Sequence, residues 1–289
     1  MANPKKSKRE EKVVEAAPID DDDEVLDSDD EGDSGDDSSS AGEDGDVVNQ
    51  VIDVNFEAFP PDDSDFHGIK KLLLQTFRNA HINVSDLANH LIELNKLSLV
   101  LRQSDDDMLD DDDDMEDDAE VFGVGGLLPL NSDREGVKDV KKFLLEQAGE
   151  KGQARSKLEQ IFSSGSIGFL ISERFVNIPP RIAAPTLKSI YEDWKKMPKS
   201  NKTFDFSHLV VICKQYKGAN SLIYANGEEE LFEDLADFKF SYEVPQGDAD
   251  TAIAGKWKEG DEELKQIRQV LVLDPKKLPE MIQLIEENV

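Results

Sequence analysis

The 289-residue chain carries 64 aspartates and glutamates against 33 lysines and arginines, and its formal charge of −31 is unevenly spread: residues 20–46 hold 15 of the acids and residues 105–120 hold 12, with no base in either run, so the remainder carries only −4. A nearly neutral body with 38% apolar residues can bury a core, while polyanionic runs are repelled by nucleic acid, which excludes direct nucleic-acid binding through them. A single cysteine, Cys213, excludes an internal disulfide and a cysteine metal cluster, and no apolar run approaches the roughly 20 residues that cross a bilayer, so the reading is a soluble intracellular protein with no membrane span and no secretory signal.

In chain order, Lys5, Lys6, Lys8 and Arg9 form a short cation cluster of the kind an acidic nuclear-import receptor groove accepts. Residues 20–46 have almost nothing apolar to offset the roughly 1–2 kcal/mol per residue that ordering a backbone costs. Residues 1–46 are therefore expected to be a disordered tail, basic and then acidic. Ser28 and Ser34 precede Glu31 and Asp37 by three positions, a pattern that an acid-directed kinase accepts. Asp20, Asp21, Asp22 and Asp23, with Asp110, Asp111, Asp112, Asp113 and Asp114 of the second run, are the candidates for steering a basic partner.

The folded domain is placed at residues 47–289, with an acidic insertion at 104–120. Val51, Ile52, Val54, Phe56, Ala58 and Phe59 read as a largely alternating strand closed by Pro60-Pro61. Ser64 or Asp65 is the expected cap of a helix with Phe66, Ile69, Leu72, Leu73 and Phe77 on one face, and Ser85 that of a second helix with Leu87, Leu91 and Ile92 inward. Leu97–Arg102 reads as a strand, the aspartate run as an exposed loop, and Val121–Leu130 as the returning strand. Two helices follow, with Val137, Val140, Phe143 and Leu144, then Leu158, Ile161 and Phe162, as their apolar faces.

Ile167–Ile171 is a short, continuous apolar run, the signature of a central strand buried on both faces. Phe175, Val176 and Ile178 are expected to continue in extended form, because Pro179 disfavours the helical region for Ile178. Beyond the Pro179-Pro180 corner, Pro185 suits a first helical turn, and Leu187, Ile190, Tyr191 and Trp194 make one apolar stripe. Strands are placed at Phe204–Tyr216, Ser221–Ala225, from Phe232 or Leu235 to Val244, and at Gln269–Leu273, with Asp274-Pro275 starting a final helix. The whole reads as an α/β fold, a single mixed-sheet domain of about seven strands with helices on both faces.

Ser172-Glu173-Arg174-Phe175-Val176-Asn177-Ile178-Pro179-Pro180, with Ile182-Ala183 and Pro185, resembles the signature of the BCCIP/Bcp family. Five weaker blocks agree in order: Val54–Ala58, Gly68–Leu73, Glu120–Gly123, Ala225-Asn226 with Glu228-Glu229-Glu230, and Gly255-Lys256-Trp257. The resemblance implies a fold similar to the GCN-five-related (GNAT-like) acetyltransferases in a protein not known to act as one. It also implies a partner, a newly made basic protein of the large ribosomal subunit, and a link through nuclear transport receptors to nuclear export and 60S ribosome production. Shuttling between nucleus and cytoplasm follows from that reading, and the chain is taken as a monomer.

The residues themselves argue against acyl transfer. A pyrophosphate-cradling loop needs an Arg or Gln three positions before a Gly-x-Gly or Gly-x-Ala that opens a helix. The nearest match, Glu120-Val121-Phe122-Gly123-Val124-Gly125, puts an anion first and runs on as strand, so its glycines are expected to serve a bulge or bend. His67, His81, His90 and His208 lack metal spacing, Cys213 sits in a core-strand pattern, and solvated carboxylate runs offer no apolar pocket to split their pKa values. No catalytic, cofactor-binding or metal residue is assigned, and no cofactor is expected. The signature residues Ser172, Glu173, Arg174, Phe175, Asn177, Pro179 and Pro180 are read as structural or as partner contacts, with Asn177 expected to hydrogen-bond inside the Pro-Pro corner. A ribosomal-protein escort leads. A histone-type chaperone or nuclear scaffold binding cell-cycle or DNA-repair proteins is the alternative, and an acetyltransferase comes last.

Overall fold

The apolar run at Ile167–Ile171 lies where two-sided burial requires, in the middle of one sheet. A computed structural model of the chain describes residues 55–78, 80–104, 120–149, 152–198, 200–245 and 264–289. The import-type cluster, Ser28, Ser34 and both aspartate runs lie outside these residues. Among those described, the strands are β1 (Phe56–Phe59), β2 (Ser98–Gln103), β3 (Gly123–Pro129), β4 (Ser166–Arg174), β5 (Phe206–Lys217), β6 (Leu222–Tyr224), β7 (Phe238–Glu243) and β8 (Lys265–Leu273). They form one sheet in the order β1-β2-β3-β4-β5-β8-β7, with β6 attached to β5 off this path. β4 pairs antiparallel with β3 and parallel with β5.

The helices are α1 (Phe66–Phe77), α2 (Val84–Glu93), α3 (Glu135–Gln147), α4 (Gln153–Ser164), α5 (Ala183–Lys196), the short α6 (Glu230–Glu233) and α7 (Leu278–Asn288). Strand alternation sorts the apolar side chains into two cores. Ile167, Phe169 and Ile171 of β4, with Val210, Ile212, Val270 and Val272, pack under α1, α2, α3 and α4. Leu170, Leu209, Val211, Leu271 and Leu273 pack under α5, α6 and α7. The mixed sheet with helices on both faces is thus the architecture that the two periodicities call for, with eight strands where about seven were expected.

Several boundaries differ from the sequence reading, each for a local reason. The first helical segment opens with a 3-10 turn capped by Asp62, which accepts the Ser64 N–H at 2.9 Å, and not by Ser64 or Asp65. Asp65 is fully buried because Arg102 of β2 grips its carboxylate through Nε at 2.8 Å and Nη2 at 2.5 Å. α2 is capped by Asn83, whose Oδ1 accepts the Asp86 N–H at 3.0 Å, leaving Ser85 inside the first turn. Phe232 does not begin a strand: it is buried in α6 under the second core, and β7 starts at Phe238. β1 is described from Phe56, residues 51–54 lying outside the described part, and β8 begins four residues before Gln269.

The largest departure follows β4. Phe175–Ile178 is not extended but a tight turn, closed by Ile178 N–H to Phe175 C=O at 3.0 Å, because the ladder partners of β4 end at Arg174. A 3-10 turn at Pro180–Ile182 then leads into α5, with Pro185 in its first turn. Nor do the β3 glycines make a bulge, since its register with β2 and β4 is unbroken. They are packing glycines. A Cβ at Gly126 would stand 2.5 Å from Leu91 Cδ2 on one face, and a Cβ at Gly125 would stand 2.8 Å from Thr186 Cγ2 on the other.

Candidate functional site

In open α/β sheets the default ligand site is the crevice at the carboxyl ends of parallel strands. Here that position is set by β4 and β5. Their pairing runs from Ser166 opposite Phe206 to Phe169 opposite Val210 and stops, although β4 continues to Arg174 and β5 to Lys217. The strands part, and a wedge opens that leaves unpaired backbone polar groups in the interior. Buried groups of that kind have to find partners.

The chain fills the wedge with its own side chains. Ala225 donates its N–H to Lys214 C=O at 2.8 Å, and Glu229 Oε2 accepts the Lys214 N–H at 3.1 Å, so both backbone groups of that β5 residue are met from the segment after β6. Asn226 Nδ2 donates to Ser172 C=O of β4 at 3.4 Å and to Glu229 Oε1 at 2.7 Å. Two buried ion pairs complete the plug. Arg174 holds Glu228 in a fork, Nη2 to Oε2 at 2.7 Å with Nη1 on Oε1, and Lys214 Nζ donates to Glu173. Arg174 Nε also reaches Ile178 C=O at 3.3 Å, which ties the turn after β4 to the same cluster.

Glu228 is only 1% exposed, and its neighbours Asn226, Glu229, Glu173, Arg174 and Lys214 are buried with it. Burial first, and the nearby Glu173 carboxylate second, push Glu229 up to about 8, so it carries its proton at neutral pH. That leaves two cations facing two anions, a balance without which a buried cluster would be unstable. Burial also raises the Cys213 thiol well above its usual range, which makes it an inert core residue.

Of the signature residues, the structure brings Ser172, Glu173 and Arg174 together with Asn226, Glu228 and Glu229, more than fifty residues later in the sequence. Phe175 packs edge-on against Phe122 with ring centroids 6.3 Å apart and lies under the Lys71 ammonium at 5.2 Å. Asn177, Pro179 and Pro180 are exposed. The internal hydrogen bond expected of Asn177 is therefore corrected: the turn that replaces the extended segment points this side chain to solvent.

Two participants were hidden in the sequence. Lys214 follows Cys213 within an apolar strand pattern, and a cation inside a buried strand is itself a signal that a carboxylate must meet it. Arg268, only 2% exposed on β8, donates to Gln75 C=O at 3.2 Å and Thr76 C=O at 3.5 Å, so it closes the carbonyl end of α1.

The glycines of β3 do not form a helix-opening loop of the acyl-donor kind. Gly123–Pro129 is strand along its whole length with neighbours on both sides, so its N–H groups belong to the sheet. A larger cleft of about 770 Å³ opens at the other end of β5, lined by Tyr191, Trp194, Phe204 and Phe206. Its indole is satisfied by Phe204 C=O at 2.8 Å and Lys202 faces Asp205 at 3.3 Å, so we place the functional emphasis on the wedge, where the buried charges are. Among the described residues, no group of three or more potential ligands could hold a metal ion, and no helix is long and apolar enough to cross a membrane.

A family model described as BCCIP matches residues 51–247. The chain is 31% identical over 249 residues to the Protein BCCIP homolog of Drosophila melanogaster, covering 81% of this chain and 84% of the fly protein. It is 32% identical over 264 residues to the BRCA2 and CDKN1A-interacting protein of Homo sapiens, covering 84% and 83%. The crystal structure of BCP1 from Saccharomyces cerevisiae superimposes with a TM-score of 0.57 over 81% of this chain and 89% of that one, at 15% identity, a likeness of fold.

Proposed function

The chain belongs to the BCCIP family, and from that premise we propose that it is a non-enzymatic escort which binds a newly made, basic protein of the large ribosomal subunit and supports its passage through the nucleus. The observation that carries the proposal is the segregation of charge: two runs supply 27 acids and no base to a body of charge −4. Polyanionic runs attract a lysine- and arginine-rich surface and compete with RNA for it, and their field acts mainly on the rate of encounter. Single exposed ion pairs contribute only about 0.2–1 kcal/mol, so in this reading the folded body supplies specificity. The plugged wedge supports the non-enzymatic part, because the crevice in which an α/β fold would hold a substrate is occupied by Asn226, Glu228 and Glu229. Import through Lys5, Lys6, Lys8 and Arg9, and shuttling between nucleus and cytoplasm with transport receptors, belong to the same proposal.

A second reading, a scaffold for cell-cycle or DNA-repair proteins, draws on the names of the human and cattle relatives, which are called BRCA2 and CDKN1A-interacting proteins. Capture of partners by the tagged chain from a nuclear extract at moderate salt separates the two. The escort reading expects one basic large-subunit ribosomal protein as the stoichiometric partner. Recovery of repair or cell-cycle proteins without it would favour the scaffold.

A further inference from the structure

Beside the plugged wedge a cleft of about 170 Å³ remains open, and its lining is opposite in sign to the chain as a whole. Arg78, Arg174, Lys214 and Arg268 line it, with Phe175, Val176 and Tyr216, and no carboxylate is among its described lining residues. Arg174 and Lys214 are balanced from behind by Glu228 and Glu173. Arg268 is held differently: it donates to the backbone carbonyls of Gln75, Thr76 and Ile267, which accept from its guanidinium without neutralising its charge. A guanidinium taken out of water with only dipoles for company is costly, and an anion entering the cleft would relieve that cost.

The rim is apolar. Five large hydrophobic side chains are exposed among the described residues, and three of them, Val176 at 65%, Leu222 at 51% and Ile223 at 50%, stand on the two segments flanking this cleft. Val176 lines it directly, and Ile223 sits across the β5–β6 ladder from Tyr216, which also lines it. An exposed apolar rim around a charged centre is the layout of an interaction site and is not expected of plain surface.

We propose that this cleft receives an acidic side chain carried on an extended, partly apolar segment of a partner chain. The carboxylate would enter between Arg174 and Arg268, where planar guanidinium groups favour carboxylate geometry, while apolar neighbours of the acid lie on Val176 and Ile223. This inference is independent of the escort reading and complements it: the acid runs would meet the partner's basic surface, and the folded body would hold an acidic anchor. The acid runs oppose the approach of an anion at long range, but beyond the Debye length of about 8–10 Å that repulsion is screened.

The test is nuclear magnetic resonance titration of the full chain with a short, end-blocked peptide of alternating leucine and aspartate, beside the same peptide with asparagine for aspartate. The proposal expects saturable shifts of the Arg174 and Arg268 Nε–H signals and of the Val176 and Ile223 methyls with the aspartate peptide, and binding weaker by about tenfold or more with the asparagine peptide. Arg268→Gln removes an interior contact and could unfold the chain. The paired variant Val176→Asp with Ile223→Asp is therefore the main one: both positions are exposed, so the fold should stay intact while affinity falls by at least about tenfold. No saturable shift, equal shifts with the two peptides, or shifts mapping elsewhere would overturn the proposal. So would a site that opens to the probe only after Asp110–Asp114 are replaced by Asn, because its occupant would then be this chain.

Discussion

Glu229 is the residue whose chemistry differs most from its ordinary behaviour. Its carboxyl titrates near 4.5 when exposed and is raised to about 8 in the wedge, so between those values the folded chain holds a proton that the unfolded chain has released. By linkage, stability must then fall as pH rises from about 4.5 to about 8 and level off above, a loss of a few kcal/mol in all. Glu229→Gln, which mimics the protonated form, should flatten that slope in denaturant melts collected across this range. An unchanged slope would place the ionisation elsewhere. Asn177 makes the opposite case. Its side chain is exposed, so Asn177→Ala should leave the unfolding free energy within about 0.5 kcal/mol of wild type, and a larger loss would mean that the side chain does bond within the corner. The signature is thus of two kinds: Ser172, Glu173 and Arg174 belong to the interior, and Asn177, Pro179 and Pro180 to the surface.

At the scale of elements, β3 shows how glycine serves a sheet that is packed on both sides. Gly126→Ala would press a methyl group against Leu91 and should cost about 1–3 kcal/mol. Pairing it with Leu91→Ala should cost less than the sum of the two single changes in the same equilibrium melts, and strict additivity would show that the two sites do not touch. The same strand shows what the sequence could and could not reveal. Continuous apolar runs announced β4 and the core of β5, and the stripes at Leu187, Ile190, Tyr191 and Trp194 announced α5, because each is a local periodicity. The wedge was not legible. It arises from β4 and β5 parting after Phe169 and Val210 and from a segment more than fifty residues later filling the gap, and no local pattern encodes such a meeting. Only Lys214, a cation in an apolar strand, hinted at it. The turn at Phe175–Ile178 departs from the extended form because the proline rule governs one residue, Ile178, while the end of the β3 ladder governs the segment.

Over the whole molecule, charge and fold are divided between different parts of the chain. The body is an open α/β sheet with helices on both faces and its ligand crevice filled from within, while 27 of the 64 acids lie in two runs without bases. If that division is the basis of function, the acid runs alone should not suffice. The direct test is light scattering from a purified basic large-subunit ribosomal protein mixed with RNA, with this chain added at increasing ratio. The escort account predicts that aggregation is suppressed at about one chain per ribosomal protein, and that replacing Asp110, Asp111, Asp112, Asp113 and Asp114 by Asn slows the onset of protection more than it changes the final ratio. Polyaspartate matched in total charge should need a large excess to do the same. Equal protection by polyaspartate, or none by the chain, would contradict the account.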